Sequence, residues 1–262
     1  LAVEGKPDRD KLGKKADASA KAYSRLWWRY GRMALELYAT IPKLSRFLVH
    51  PFTSKHHSLV FFAPGIVLSH MTVVIAMESW GEYCVLQSEI HWKWALEYGN
   101  KLETRPQYSP TDCFETFAFP ERIGELELIG ESFYKLRQET MKKTGDGLTK
   151  IYNRFHDPDD LSSDIVSLRN LQRAMDESVA IAYGWEGLAL NHGFHMTKLG
   201  LRYTICESAS REVIDRLLEL NHTRHQEEGF GRLDAIGVDD SRGYATVKTR
   251  IDDSAQPQLG FD

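Results

Sequence analysis

Four short apolar runs, separated by proline, glycine or serine, limit the first third of this chain to β structure. Each run is rich in Val, Ile or Phe and is too short for a helix. The runs are Arg46–His50, Ser58–Phe62, Gly65–Ser69 and Thr72–Met77. They predict the strands of a compact antiparallel sheet.

The segments on either side of these runs have apolar residues at helical spacing. Apolar residues at helical spacing predict a helix over 17–40, which Pro42 ends, and a second helix over 80–98. Beyond Pro120, apolar stripes predict only helices. The predicted fold class is therefore α+β: a small antiparallel sheet with flanking helices, followed by an all-helical C-terminal half.

Composition divides the 262 residues into four segments. We predict a flexible arm at 1–16, an α+β domain at 17–120, a helical C-terminal domain at 121–228 and a polar tail at 229–262. The chain begins with Leu rather than Met, from which we expect a piece of a longer protein.

The bulk numbers exclude several classes of protein. Apolar residues make up 42% and charged residues 27%, as in ordinary globular proteins, and no apolar run approaches the length of a membrane span. Three scattered cysteines favour a reducing, cytosolic setting over a disulfide framework. The net charge of −4 is unusual for a nucleic-acid-binding domain, although binding depends on the local patch and not on the sum.

Motifs for catalysis are missing from this sequence. No two of the nine prolines are adjacent, so the Asn/Asp-Pro-Pro-aromatic turn that holds an exocyclic amine for methylation is absent. The pairs His192/His195 and His222/His225 have a spacing that occurs in metal sites, but we expect surface histidines and no metal. The chain by itself is expected to be non-catalytic.

The segment Tyr108–Pro120 interleaves four aromatic residues and two prolines with Ser, Thr, Asp and Cys, too irregularly for a helix. It resembles, with other segments in the same order, the C-terminal target-recognition region of MmeI-like and type IIG restriction–modification adenine methyltransferases, which have relatives in BREX and DISARM phage-defence systems. Ala118 stands where that family has a proline. The likeness spans roughly residues 24–228. The other matching segments are Trp27–Trp28, Leu37–Tyr38, Arg46–Val49, Ser54–His57, Leu86–Ser88, His91, Trp94, Leu168–Arg169, Met175–Asp176, Ala182–Trp185, Arg202–Ile205 and Leu217–Asn221.

The resemblance implies sequence-specific recognition of double-stranded DNA on behalf of an S-adenosylmethionine-dependent adenine-N6 DNA methyltransferase. Such an enzyme flips the target adenine into a catalytic domain. That domain, with its S-adenosylmethionine, is expected outside this chain, in the same polypeptide or complex, and no cofactor is expected here. The alternative is a protein–protein interaction module of a multi-subunit complex without DNA contact, which the acidic net charge favours.

Ten residues are candidates for DNA contact because they offer cations or hydrogen-bonding groups in the matching segments. They are Ser54, Lys55, His56, His57, Gln87, Ser88, His91, Arg105, Tyr108 and Thr111. The segment 54–57 lies between two predicted strands, where such groups can reach phosphates or base edges. Changing Lys55 and His57 together to Ala is expected to weaken DNA binding and to leave the melting temperature nearly unchanged.

Structural alternatives remain open for these residues. Residues 54–57 can be a solvated hairpin turn, and Gln87, Ser88 and His91 can form hydrogen bonds inside the core. In the segment 108–120, three phenylalanines can pin the first half of the chain against the helical half. Five cations of the helical half either follow a phosphate backbone or form a solvated face: Arg137, Lys142, Lys143, Lys150 and Arg154.

Overall fold

The computed structural model describes Lys14 and residues 35–69, 71–102 and 105–235. The described helices are α1 (Leu35–Thr40), α2 (Trp80–Gln87), α3 (Glu89–Tyr98), α4 (Glu127–Thr144), α5 (Leu148–Phe155), α6 (Ser163–Ala182) and α7 (Glu207–Ala235). The described strands are β1 (Phe47–Pro51), β2 (Val60–Phe62), β3 (Thr72–Ile75), β4 (Asn100–Leu102), β5 (Arg105–Gln107), β6 (Gly193–Thr197) and β7 (Gly200–Thr204). The rest of the predicted arm, the pair Trp27–Trp28 and the predicted tail beyond Ala235 lie outside the described residues.

Strands β1, β2 and β3 form the predicted antiparallel sheet, with β1 in the middle. On β1, Leu48 packs into the main core, whereas Phe47 and Val49 pack in a smaller cluster with Ile41. Both faces of β1 are therefore covered, because alternate residues of a strand face opposite sides. The prediction of a further strand at 65–69 is wrong, since this segment is a loop in which Gly65 has a φ of 97°.

The helix predicted over 80–98 is divided at Ser88 into α2 and α3. Ser88 has an extended backbone (ψ of 156°), and its hydroxyl accepts the amide of His91 at 3.3 Å, which caps α3. Helix α2 begins with a capping box, in which Ser79 and Glu82 each accept the other's backbone amide. Two caps in this short stretch fix where each helix begins.

The helical half contains one hairpin that the sequence reading missed. Helices α4 to α7 agree with the predicted helical pattern, but β6 and β7 pair in antiparallel register and are joined through Gly200, whose φ is 92°. The fold class, a mixed α+β chain with a helical second half, is confirmed. None of the helices in the described part is long and apolar enough to cross a membrane.

One hydrophobic core serves both halves of the chain. Its buried members include Leu86 and Ile90 from the first half and Phe133, Ile165 and Met175 from the second. The core belongs to a compact unit that ends at Asn221, so the predicted join near Pro120 lies inside this unit. A second unit, 222–262, is described only for the last part of α7.

Helix α2 approaches helix α4 closely at Gly130. A Cβ atom on Gly130 would lie 2.3 Å from the carbonyl oxygen of Trp80, a distance that no side chain tolerates. Only glycine, which has no Cβ atom, therefore fits at this contact between the two helices.

Candidate functional site

Two segments of the first half that are far apart in the sequence lie side by side and form backbone hydrogen bonds. Backbone pairing joins residues 52–54 to residues 106–108 through an antiparallel bridge and hydrogen bonds of 3.2 and 2.8 Å. The chain continues on one side into Lys55 and comes on the other side from Arg105. The structure thus brings together three predicted site residues, Ser54, Lys55 and Arg105, which we call the cationic edge.

Lys55 and Arg105 are exposed, and Ser54 is partly buried. The Ser54 hydroxyl closes a tight turn, because it donates to the His56 carbonyl at 2.9 Å and accepts the His56 amide at 3.0 Å. This turn carries Lys55 at the surface. Thr111, a fourth predicted residue, is also exposed.

His57, in contrast, is buried in the core. Its Nε2 contacts the Leu86 carbonyl at 2.5 Å, its Nδ1 lies 3.2 Å from Nε2 of His50, and its ring stacks on Trp92 with centroids 4.7 Å apart. Burial lowers the pKa of His57 from 6.5 to about 4. A neutral ring donates from Nε2, since the Leu86 carbonyl can only accept.

His56 is buried on the other side of the turn. Its Nε2 lies 3.0 Å from Oδ1 of Asn153 on α5, and its ring stacks on His156. Burial, followed by the positive charges of Arg202 and Lys55, lowers the pKa of His56 to about 4. His56 therefore ties the turn to the helical half as a neutral ring.

Gln87 and Ser88 hold backbone groups at the end of α2. The Gln87 amide oxygen accepts the Leu59 amide at 2.9 Å, and its nitrogen donates to the His57 carbonyl at 3.0 Å. The Gln87 side chain thus takes the place of a neighbouring strand, because it satisfies the Leu59 amide and the His57 carbonyl just before β2. The Ser88 hydroxyl donates to the Val85 carbonyl at 2.6 Å.

His91 and Tyr108 form a buried polar pair. Nε2 of His91 lies 2.8 Å from the Tyr108 hydroxyl, and the edge of the His91 ring meets Phe117 with centroids 4.4 Å apart. Burial lowers the pKa of His91 and raises that of Tyr108. Both side chains therefore stay neutral inside the fold.

Burial requires a revision for six of the ten candidates, because a duplex can touch only accessible atoms. The six are His56, His57, Gln87, Ser88, His91 and Tyr108, and none is more than 7% exposed. A core role was the structural alternative for Gln87, Ser88 and His91. For His56 and His57 the alternative of a solvated turn is wrong as well, and Tyr108, for which DNA contact was expected, also belongs to the core. DNA contact by Ser54, Lys55, Arg105 and Thr111 stays a prediction.

The segment 108–120 joins the two halves, as its structural alternative proposed. The prediction that it is too irregular for a helix is wrong at Pro110–Phe114, which form one π-helical turn. The Tyr183 hydroxyl at the end of α6 donates to the Ala118 carbonyl at 2.7 Å, and the Asn221 amide nitrogen donates to the Thr116 carbonyl at 2.6 Å. Phe117 is 6% exposed and belongs to the shared core.

The sequence reading missed Arg137, which stands at the centre of the interface between the halves. Arg137 is 2% exposed and donates to the Leu59 carbonyl at 2.6 Å, to the Tyr152 hydroxyl at 3.0 Å and to the Gln87 amide oxygen at 3.2 Å. It was grouped with surface cations, although its spacing of four from Phe133 puts it on the apolar stripe of α4.

The other cations of that group remain near the surface. Arg154 donates to Asp160 at 2.7 Å, and Lys143 and Lys150 each lie 3.7 Å from an aspartate. Lys142 is exposed. Acidic partners thus neutralise most of the face that could have followed a phosphate backbone.

His192 and His195 bind different groups, and the expectation of surface histidines is wrong for His192, whose side chain is 1% exposed. His192 Nε2 lies 2.8 Å from the buried carboxylate of Asp176, whereas His195 Nε2 lies 3.0 Å from the Asn191 carbonyl. Across the described ranges, no three His, Cys, Asp or Glu side chains are grouped as a metal site requires.

A small cavity lies between the cationic edge, helix α3 and the β6–β7 hairpin, with a volume of about 50 Å³. Its charged lining residues are three cations and one carboxylate: Lys55, Lys93, Arg202 and Glu89. Trp92 and His156 also line it. We call this cavity the basic pocket.

Comparison with known proteins gives two matches. The family model of the MmeI target recognition domain matches residues 42–121, which hold the sheet, α2, α3 and the cationic edge. A solved structure, that of the type IIL restriction-modification enzyme MmeI in complex with DNA, shares the fold with a TM-score of 0.61 and 18% identity. The match covers 83% of this chain and 25% of that chain, so this chain spans about a quarter of its length. No curated protein matches the sequence.

Proposed function

We propose, from the MmeI-like target recognition domain at residues 42–121, that this chain binds double-stranded DNA and reads its sequence within a restriction–modification protein. The family match carries the proposal. The structural likeness supports it at the level of the fold, because it extends over both halves of the chain.

The cationic edge is the part of the domain suited to the first contact with DNA. Lys55 and Arg105 are exposed on adjacent segments, where long cationic side chains can reach phosphates or the acceptor atoms of guanine in the major groove. Contacts at this edge would depend on a local positive patch, which is compatible with the net charge of −4.

The buried polar residues behind this edge contribute indirectly. His56, His57 and Gln87 bind backbone and side-chain groups on both sides of the turn that carries Lys55. A recognition side chain is useful only when its position is reproducible, and buried hydrogen bonds supply that rigidity.

We further propose that this chain recognises DNA for an adenine-N6 methyltransferase whose S-adenosylmethionine-binding domain lies outside this chain. The basic pocket does not fit that cofactor, since its volume of about 50 Å³ is far below the roughly 300 Å³ of small cofactor sites. The proposal therefore assigns this chain DNA binding and no step of methyl transfer. A role in phage defence belongs to the same proposal.

The test is binding of the full chain to a pool of random duplexes, measured by fluorescence anisotropy from about 50 to about 200 mM salt and by sequencing of the bound fraction. We expect salt-dependent binding and an enriched sequence. Arg105→Gln is expected to lose about 1–3 kcal/mol of discrimination at one base pair if Arg105 reads guanine. Lys142→Gln removes one exposed charge elsewhere and is the matched control.

Absence of binding at the lowest salt contradicts the proposal for this chain. If Arg105→Gln and Lys142→Gln change DNA affinity and sequence preference equally, the cationic edge contributes only non-specific electrostatic attraction.

A protein-binding role is the second candidate, and exposed apolar side chains between β2 and β3 favour it. Val67 is 68% exposed and Met71 is 47% exposed in the segment between these two strands. The same binding assay separates the two candidates, because a protein-binding role without DNA contact predicts no affinity for the duplex pool even at the lowest salt.

A further inference from the structure

Three donors at the basic pocket lack an acceptor among the described residues. Nε of Arg202 is buried without a hydrogen-bond partner. Nδ1 of His156 accepts the Tyr203 amide at 3.2 Å, so the neutral His156 ring carries its hydrogen on Nε2, for which no partner is seen in the described ranges. Lys55, at the mouth, forms no ion pair within the described part of the chain.

The remaining polar groups of the pocket satisfy one another. Lys93 donates to the Thr204 hydroxyl at 2.7 Å and lies 3.3 Å from Glu89, whose other contact is a hydrogen bond from Thr204. Glu89 is therefore already neutralised by Lys93. The charge left over is that of Lys55 and Arg202.

The electrostatics of the pocket favour an anion. Burial lowers the pKa of Arg202, and the nearby negative charge of Glu89 offsets this effect only in part. Burial and then the positive charge of Arg202 lower the pKa of His156 to about 2. Nε of Arg202 is a buried donor without an acceptor, which costs free energy, so an incoming oxyanion that accepts from it would recover that cost.

The volume limits the size of that anion. A cavity of about 50 Å³ accommodates a few water molecules, since about 10–15 Å³ of such space holds one. The oxygens of a single tetrahedral phosphate match both the space and the donor chemistry, because each oxygen accepts from guanidinium, imidazole or ammonium groups.

We propose that the basic pocket binds one phosphate of the DNA backbone between Lys55 of the first half and Arg202 of the hairpin. This proposal rests on the proposed function and adds a contact from the second half of the chain. One phosphate would then bridge the target recognition domain and the β6–β7 hairpin, so that the hairpin takes part in gripping the duplex.

The test compares four forms of the full chain: the wild type, Arg202→Gln, Lys55→Gln and the double variant. Affinity for a fixed duplex is measured from about 50 to about 200 mM salt, where each phosphate contact contributes about 0.9 to the slope of log affinity against log salt. Each single variant is expected to reduce the slope by about one contact. The double variant is expected to lose little more, because both cations hold the same phosphate. Lys142→Gln is the control and is expected to keep the wild-type slope.

A second measurement identifies the ligand independently of DNA. Inorganic phosphate is expected to raise the melting temperature of the wild type more than chloride at equal ionic strength, and to have no such effect on Arg202→Gln. Lys55→Gln keeps the test valid if Arg202→Gln fails to fold, since Lys55 is exposed.

The outcomes separate the two proposals. If the wild type binds DNA and both single variants keep its slope, the pocket proposal is overturned and DNA recognition stands. If the wild type binds no DNA, both fail; stabilisation by inorganic phosphate would then mark a site for free phosphate. Additive losses in the double variant would contradict a shared phosphate.

Discussion

Lys55 and His57 are two residues apart, and the structure predicts opposite effects when each is changed to Ala. Lys55 is exposed, whereas His57 is 7% exposed. The sequence had grouped them in one double variant with little expected effect on stability. The burial of His57 reverses that expectation for one of the two residues.

The magnitude for His57→Ala follows from its contacts. Removing the imidazole leaves the buried Leu86 carbonyl without its donor, which costs about 1–3 kcal/mol. It also removes a ring that stacks on Trp92, and large-to-small changes in a core cost about 2–5 kcal/mol. We expect a total loss of about 3–5 kcal/mol, since the two terms overlap. At 2–4 °C per kcal/mol, the melting temperature would fall by roughly 10 °C.

Urea unfolding followed by tryptophan fluorescence measures the loss, and anisotropy with a duplex measures binding. Lys55→Ala is the matched control, with an expected change in stability below about 0.5 kcal/mol and weaker DNA binding. The reasoning is refuted if His57→Ala unfolds like the wild type and binds DNA less tightly. That result would mean that the His57 side chain is exposed and contacts DNA.

Two further predictions test the buried polar groups. Arg137→Met is expected to lower the free energy of unfolding by at least about 3 kcal/mol, because the Leu59 carbonyl and the Tyr152 hydroxyl lose a charged donor; Lys142→Met on the same helix should change it by less than about 0.5 kcal/mol. Equal effects in urea unfolding would contradict the central position of Arg137. The second prediction is that acid destabilises the fold: the pKa of His57 is about 4 when folded and 6.5 when unfolded, so its contribution is complete above pH 6.5 and decreases by about 1.4 kcal/mol per pH unit below it. A melting temperature that is the same at about pH 7.5 and about pH 5.5 would contradict this sign.

The sequence predicted those parts of the fold that depend on local patterns. Short runs rich in Val, Ile or Phe and broken by Pro, Gly or Ser predicted β1, β2 and β3, and apolar stripes predicted the helices of the second half. The β6–β7 hairpin was missed because neither strand contains Val or Ile and only Gly200 indicates the turn. The break at Ser88 was missed because the apolar spacing continues through it, and only the serine cap divides the helix.

Side-chain burial was less predictable, because it depends on partners that are distant in the sequence. Nothing near His57 indicates that Leu86 and Trp92 cover it, and nothing near Gln87 indicates that the backbone at Leu59 needs its amide. Polar residues in a family-like segment therefore suggested binding, although most of them satisfy buried groups. Burial of Arg137 was more accessible to sequence reasoning, since its position on the α4 stripe contradicted a surface role.

The distribution of polar residues explains how a small exposed edge is held in a fixed position. The turn that carries Lys55 is held at His56 by Asn153 of α5, and the chain just after it is held at His57 by the Leu86 carbonyl. These anchors lie in both halves of the chain, so the second half determines where the edge stands even if it reads no base. Because the anchors are buried and Lys55 is not, a change at Lys55 alters binding at little cost in stability, whereas a change at an anchor alters both. Stability and affinity, measured together across 54–57, therefore separate positioning residues from contacting residues.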